Sequence, residues 1–264
     1  MQETGKRMKS FSAFALENFP LIEPNDDLPK LIVDLSNSNG FRIDDGDIIV
    51  IAQKIISKAE GRIVSLKDIS ASQRARNVAR KTGKSSRFVQ LVLSETRRLR
   101  KVCREILLVE DKRGLICINA GIDKSNVQGA DSYALLPNKP DRSAECIRAA
   151  ICRQTGKKVG VVICDTYSRP FRRGQVNYAI GIAGVSAFRD YRGKADMFDQ
   201  ILKVKNIAVV DEIAGAAELL MGQATEALPV VIVRGLGESV TQESGSRTED
   251  LLISSREDLF RNTL

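Results

Sequence analysis

Two hydrophobic patterns organise the chain: continuous apolar runs, and longer stretches in which apolar residues recur every three or four positions. Ile48-Ile49-Val50-Ile51-Ala52, Val159 to Cys164 and Pro229 to Val233 are runs of the first kind, as expected of strands covered on both faces. Leu28, Leu31, Ile32 and Leu35 have helical spacing behind Asp26-Asp27, which can cap the helix, and Asn39-Gly40 marks its end. The same spacing predicts helices over Ser70 to Lys81, Ser86 to Val102, Ser143 to Thr155 and the Ala-rich Ile213 to Met221. Ile106 to Val109 and Leu115 to Ala120 read as a hairpin around Asp111-Lys112-Arg113-Gly114, and Gln53 to Gly61 as a polar-ended loop or second strand. Phe19 to Pro24 is extended, fixed by two prolines, and Pro137 to Asp141 is a loop. Helices and strands alternate irregularly, which predicts an α+β fold with a mixed sheet rather than a doubly wound parallel one. No repeat or low-complexity linker marks a domain boundary.

Composition narrows the chemistry. At 264 residues, with 43% apolar and 28% charged, the chain is long enough for a sizeable core in about one or two domains. No apolar run approaches the ~18 residues of a membrane span. Met1 to Ser10 is polar and basic with no apolar block behind it, so the expectation is a soluble, cytoplasmic protein. The absence of histidine excludes Ser-His-Asp and Cys-His catalysis, HExxH zinc sites and any imidazole base. Five cysteines without a CxxC pair fit reduced, small core residues, so a metal would be bound by oxygen, as Mg²⁺ or Mn²⁺ are. A net charge of +8 favours phosphate-bearing partners.

Two apparent nucleotide motifs fail. Gly83-Lys84-Ser85 lacks the earlier glycine of a P-loop, where Val78 stands, and no set among Gly181, Gly184, Gly235 and Gly237 completes GxGxxG. Three segments remain. Asn119-Ala120-Gly121-Ile122-Asp123-Lys124-Ser125-Asn126 presents a carboxylate among amide and hydroxyl oxygens, suited to a hard cation and equally to an Asx-turn. Asp165-Thr166 ends a buried strand and leads into Arg169, Arg172 and Arg173, a metal ligand followed by anion donors, or a helix cap beside a solvated loop. Glu212 and Glu218 precede Met221-Gly222-Gln223, where Gly222 can turn backbone amides toward a ligand or simply close the helix. Lys58 follows a strand, as a phosphate ligand or a surface lysine. The basic residues Arg97, Arg98, Arg100, Lys101 and Arg104 lack interleaved aromatics, which makes nucleic-acid binding the weakest option.

Together these segments carry a resemblance. Phe19-Pro20-Leu21-Ile22, Gln53-Lys54 with Ser57-Lys58-Ala59-Glu60-Gly61, Asn119 to Asn126, Asp165-Thr166 with Arg169-Pro170-Phe171-Arg172-Arg173-Gly174-Gln175, Asp190-Tyr191-Arg192-Gly193, Asp211-Glu212 and Met221-Gly222-Gln223 resemble the coenzyme F420-0:γ-glutamyl ligase family from about Phe19 to Gly235. The resemblance implies a GTP- and metal-dependent ligase that joins L-glutamate to the terminal carboxylate of F420-0, with a further γ-linked glutamate as a second product. It also implies a two-domain α+β fold forming an intertwined homodimer. On that basis residues 1–18 are a polar N-terminal extension and 19–264 the catalytic region.

By the same resemblance, Asp123 and Asp165 are metal-binding aspartates, with Thr166 and Gln223 on a second divalent ion; Mg²⁺ or Mn²⁺ fills both places, with K⁺ as a further candidate. Phe19, Pro20, Leu21, Ile22, Gln53, Lys54, Lys58, Asn126 and the segment Met221, Gly222, Gln223, Ala224, Thr225, Glu226, Ala227 and Leu228 match GTP contacts. Arg169, Arg172 and Arg173 are added here as catalytic contacts to phosphate or carboxylate. The family pattern is departed from at Tyr167-Ser168, Asp199-Gln200-Ile201-Leu202 and Val210-Asp211-Glu212-Ile213. The alternative is a nucleotide-binding family member with a different acceptor or without ligase activity.

Overall fold

The computed structural model describes residues 9–241, 245–254 and 256–258. In chain order the elements are β1 (Ser12–Ala15), α1 (Leu28–Ser38), β2 (Ile48–Ala52), α2 (Gln53–Ala59), β3 (Ile63–Ser65), α3 (Gln73–Thr82), α4 (Ser86–Ser94), β4 (Thr96–Cys103), β5 (Ile106–Asp111) and β6 (Ile116–Ile118). They continue with β7 (Ser132–Ala134), α5 (Pro140–Thr155), β8 (Gly160–Ser168), β9 (Gln175–Ala183), β10 (Arg189–Asp190), β11 (Asn206–Ile207), α6 (Val209–Met221) and β12 (Val230–Arg234).

The centre is a five-stranded mixed sheet in the order β1-β12-β2-β8-β9, in which only β2 and β8 are parallel neighbours. Its apolar runs are buried on both faces because successive side chains point to opposite sides. Ile49, Ile51, Val161, Ile163 and Ile232 pack with Ile32 of α1 and Ile147 and Ile151 of α5. Ile48, Val50, Val162, Val231 and Val233 pack instead on Val210, Ile213, Ala214 and Ala217 of α6. A third core lies in the middle of the chain, where Ala75 of α3 and Val89 and Val92 of α4 cover Leu107 and Val109 of β5. Close packing of α5 onto β9 depends on Gly181, where a Cβ would come within 2.6 Å of the Pro140 backbone. The α+β, mixed-sheet expectation is met.

Several expectations are corrected. Residues 1–18 are not merely a polar extension: β1 pairs with β12, Ser12 opposite Arg234 and Ala15 opposite Val231; residues 1–8 lie outside the described residues, as do 259–264 at the other end of the expected catalytic region. Gln53 to Ala59 is a helix rather than a loop or strand, with Gln53, Ile55, Ile56 and Ser57 buried. The expected basic helix ends at Ser94, and Thr96–Cys103 is a strand on the edge of the β4-β5-β6 sheet. Helix α3 begins three residues later than expected, its first turn capped by the Ser72 hydroxyl, which accepts from Ala75 N at 3.2 Å. Of the cysteines, Cys117 and Cys164 are buried as expected, whereas Cys103 and Cys146 are exposed. Helix α1 keeps its expected Asp27 cap, whose carboxylate accepts from Lys30 N at 3.1 Å. Among the described residues no helix is long and apolar enough to cross a membrane.

Candidate active site

The strand directions bring four chain segments to one edge of the central sheet. β1 and β2 end there, β8 passes through it at Cys164, and β12, antiparallel to β1 and β2, begins there. Ala52 pairs with Cys164 at that edge, so Gln53-Lys54 and Asp165-Thr166 emerge side by side. Leu16 N donates to Val230 O and Ala52 N to Pro229 O, which anchors the chain leading to Phe19 and the loop leading into β12. A fifth segment brings Asp123, whose backbone exchanges hydrogen bonds with Ala134, N to O at 3.1 Å and O to N at 2.8 Å. The carboxyl ends of parallel strands commonly host ligands, since each strand delivers a side chain to a shared mouth.

A cleft of about 490 Å³ opens at this edge. Phe19, Pro20, Leu21, Ile22, Gln53, Lys54, Lys58, Asp123, Asn126, Asp165, Thr166 and every residue from Met221 to Leu228 line it. The volume suits a nucleotide-sized ligand. Asp123 and Asp165, far apart in the chain, therefore face one cavity.

Their electrostatics differ. The Asp123 carboxylate accepts from Lys54 Nζ at 2.8 Å, from Ser125 Oγ at 2.6 Å and from Ser125 N at 2.8 Å. Burial pushes its pKa up, but the Lys54 and Ser125 hydrogen bonds outweigh burial and hold it below the usual carboxylate range. The last of these bonds is the Asx-turn weighed from the sequence, so the turn and the ligand geometry coexist. Asp165 is pushed up to about 7, chiefly by burial and also by the Asp123 charge, against the opposing influence of the Thr166 backbone N–H. Lys58 is held below its ordinary value by burial and by the like charge of Lys54. Glu218 is raised by burial and by Glu226, against the amide hydrogen bonds it receives from Gln223 and Asn177.

The donor set fits a hard cation. Asp165 is a carboxylate whose ionised form its surroundings disfavour, and a bound cation would reverse that. The Lys54 ammonium already occupies the position of a positive charge on Asp123. Among the described residues no three Asp, Glu or Cys side chains gather into a complete cage. A pair of aspartates with hydroxyl and amide oxygens instead suits Mg²⁺ or Mn²⁺, which retain water and take substrate oxygens as further ligands.

The loop after α6 adopts a shape only glycine permits. Gly222 has φ 64° and ψ −179°, and a Cβ there would meet Glu226 Cδ at 2.3 Å. Glu226 in turn accepts from Ala224 N at 2.8 Å, closing a tight loop against the cleft. This is not the left-handed helix ending expected from the sequence.

Arg169, Arg172 and Arg173 do not reach the cleft. Pairing of β8 with β9 continues past Asp165 to Ser168 and Gln175, which carries the chain about 10 Å beyond the aspartate before the turn that bears the arginines. Arg172 and Arg173 are exposed there, and Arg169 Nη2 reaches only Arg173 O, at 3.5 Å. Arg169, Arg172 and Arg173, expected as catalytic contacts, are therefore not among the residues that line the cleft. Conversely, Asn177 and Glu218 line the cleft. Asn177 carried no signal, being one polar residue within a strand, whereas Glu218 was weighed against an ordinary helix end.

Residues 17–235 match the F420-0:Gamma-glutamyl ligase family. The chain is 45% identical over 251 residues to the coenzyme F420:L-glutamate ligase of Archaeoglobus fulgidus, covering 95% of this chain and 96% of that protein. It is 41% identical to that of Methanothermobacter thermautotrophicus, covering 95% and 98%, and 43% identical to that of Methanocaldococcus jannaschii, covering 84% and 87%. With the sheet-edge cleft gathering the resembling motifs and the match spanning most of its length, the chain belongs to the F420-0:γ-glutamyl ligase family.

Proposed function

We propose that this protein is a GTP-dependent ligase that forms an amide bond between L-glutamate and the terminal carboxylate of coenzyme F420-0, with a further γ-linked glutamate as a second product. The observation that carries this reading is the convergence of Asp123, Asp165, Thr166 and Gln223 with Lys54 and Lys58 in one cleft. Relatives named coenzyme F420:L-glutamate ligase, matched over nearly their whole length, support a ligase of this kind.

The chain's own residues divide the work. Phe19 to Ile22 and the loop Met221 to Leu228 form walls for the nucleotide, and Lys54 and Lys58 hold its phosphates by charge. Asp123, Asp165, Thr166 and Gln223 would hold the divalent ions, Mg²⁺ or Mn²⁺, with K⁺ as a further candidate. Such ions, when bound, supply charge neutralisation where phosphate and carboxylate oxygens meet. The acceptor carboxylate oxygen attacks the γ-phosphorus, forming a P–O bond as the bond to GDP breaks. The glutamate amine then attacks the acyl carbon, phosphate leaves and the amine gives up a proton. Positioning and electrostatics carry phosphoryl transfer, so the absence of histidine is no obstacle. The proposal extends to a two-subdomain, intertwined homodimer; exposed Met197, Phe198, Ile201 and Val204 on the arm between β9 and α6 support a partner surface there.

Incubation with F420-0, L-glutamate, GTP and Mn²⁺ tests the reading. The expected product is heavier than F420-0 by one glutamyl residue, with GDP and phosphate released. GTP binding with no change in acceptor mass selects the nucleotide-binding alternative.

A further inference from the structure

Glu218 has no role in the reaction described above, yet each of its carboxylate oxygens is engaged by a different neutral amide at the cleft. Oε2 accepts from Asn177 Nδ2 at 2.7 Å, and Oε1 from Gln223 Nε2 at 2.6 Å. The three residues come from separate places: the last turn of α6, the strand β9 and the loop just beyond α6. All three line the cleft.

An amide side chain has nearly the same shape with its oxygen and nitrogen exchanged, so packing alone does not choose its orientation. A carboxylate does, because it can only accept; a flipped amide would set oxygen against oxygen. With both NH₂ groups turned to Glu218, Asn177 Oδ1 and Gln223 Oε1 are directed elsewhere. Asn177 is 4% exposed, and among the described residues its Oδ1 is buried without a hydrogen-bond partner. Such an orphaned acceptor is costly unless something positive completes it. Asn177 stands opposite Thr166 in the β8–β9 ladder, so the orphaned oxygen belongs to the neighbourhood of Thr166.

We propose that Glu218 is a positioning residue that locks the Asn177 and Gln223 amides so that both carbonyl oxygens join the Thr166 hydroxyl as a donor set for a divalent cation. This makes Asn177 an additional oxygen donor, and it rests on the reading of the cleft as a nucleotide and divalent-cation site. Groups that orient metal ligands typically change metal affinity about 10- to 100-fold when removed.

The test is Mn²⁺ binding to the full chain in the presence of GTP, read from the electron paramagnetic resonance signal of free Mn²⁺. Glu218→Gln keeps the shape but offers one oxygen and one NH₂, so one of the two amides must turn around. Its Mn²⁺ affinity is expected to fall about 10- to 100-fold, with the thermal midpoint of the metal-free protein unchanged and kcat reduced at constant KM for L-glutamate. Glu218→Asp, whose shortened carboxylate reaches only one amide, is expected to fall between the two and carries the test if Glu218→Gln does not fold. Parental Mn²⁺ affinity in the folded variant overturns the inference, as does a lowered thermal midpoint with Mn²⁺ affinity intact. If the parent protein itself binds no Mn²⁺ with GTP, the reading of the cleft fails and this inference with it.

Discussion

Strand β8 serves two regions with opposite surroundings. Its inner half, Gly160 to Cys164, is buried in the central sheet and ends by placing Asp165 and Thr166 in the cleft. Its outer half, Tyr167 and Ser168, runs on with β9 into the turn that carries Arg172 and Arg173 in solvent and a half-buried Arg169. Arg169 follows Asp165 by only four positions, yet Asp165 shares its cavity with Asp123 and Lys54 from distant parts of the chain. Strand direction and rise decide what meets what: a strand moves its side chains apart by about 3.3 Å per residue, while sheet neighbours stand about 4.8 Å away. Membership of a site follows the sheet edge.

Breaking the inner half should have the largest effect. Asp165→Asn is expected to lower kcat by at least about 10²-fold, as loss of a central electrostatic group does elsewhere, while circular dichroism shows an unchanged fold; ordinary turnover would remove Asp165 from the chemistry. The same carboxylate sets a pH dependence. Because Asp165 is pushed up to about 7 when folded, the native state binds more protons than the unfolded chain from about pH 4 to about pH 7. Stability of the ligand-free protein gained at low pH is therefore lost as pH rises through that window, by about 1 to 3 kcal/mol. Denaturant titrations should show that slope in the parent and a flatter one in Asp165→Asn.

The wall of the cleft comes next. Gly222→Ala forces a side chain onto Glu226 and a backbone conformation that costs about 1 to 3 kcal/mol outside glycine. Its expected result is a raised KM for GTP, with a thermal midpoint lower by a few degrees; unchanged values for both would show the loop to be indifferent to its shape. The smallest effect belongs to the outer half of β8. Replacing Arg169, Arg172 and Arg173 together by Gln should leave kcat within about 3-fold and stability within about 0.5 kcal/mol, as surface changes usually do. A loss comparable to that of Asp165→Asn would show that the arginine turn reaches a reacting group.

The same physics explains what could be read in advance. Ile48–Ala52 was legible to the residue because a strand covered on both faces is a continuous apolar run. Asp123 and Asp165-Thr166 stood out as local candidates, whereas most other cleft-lining residues entered through the family resemblance, because which segments meet depends on strand directions that no local pattern records. β4 was misread as helix for a specific reason: bulges at Thr96/Arg98 and Leu99/Lys101 shift its register. Thr96, Leu99 and Val102 then turn inward every third residue, which mimics a helical period. Helix α2 escaped notice because its seven residues have no side-chain cap and follow the strand without a break. The arginine turn stands apart from the cleft lining because the β8–β9 pairing extends beyond the apolar run that announced the strand.

The central claim is that Asp123 and Asp165 converge on cations beside a nucleotide. Crystals grown with GTP and Mn²⁺, measured at the manganese absorption edge, test it directly. The account predicts anomalous peaks within coordination distance of both carboxylates, with Lys54 displaced from Asp123 or shared with a phosphate. Nucleotide in the cleft with manganese bound to neither aspartate would contradict it.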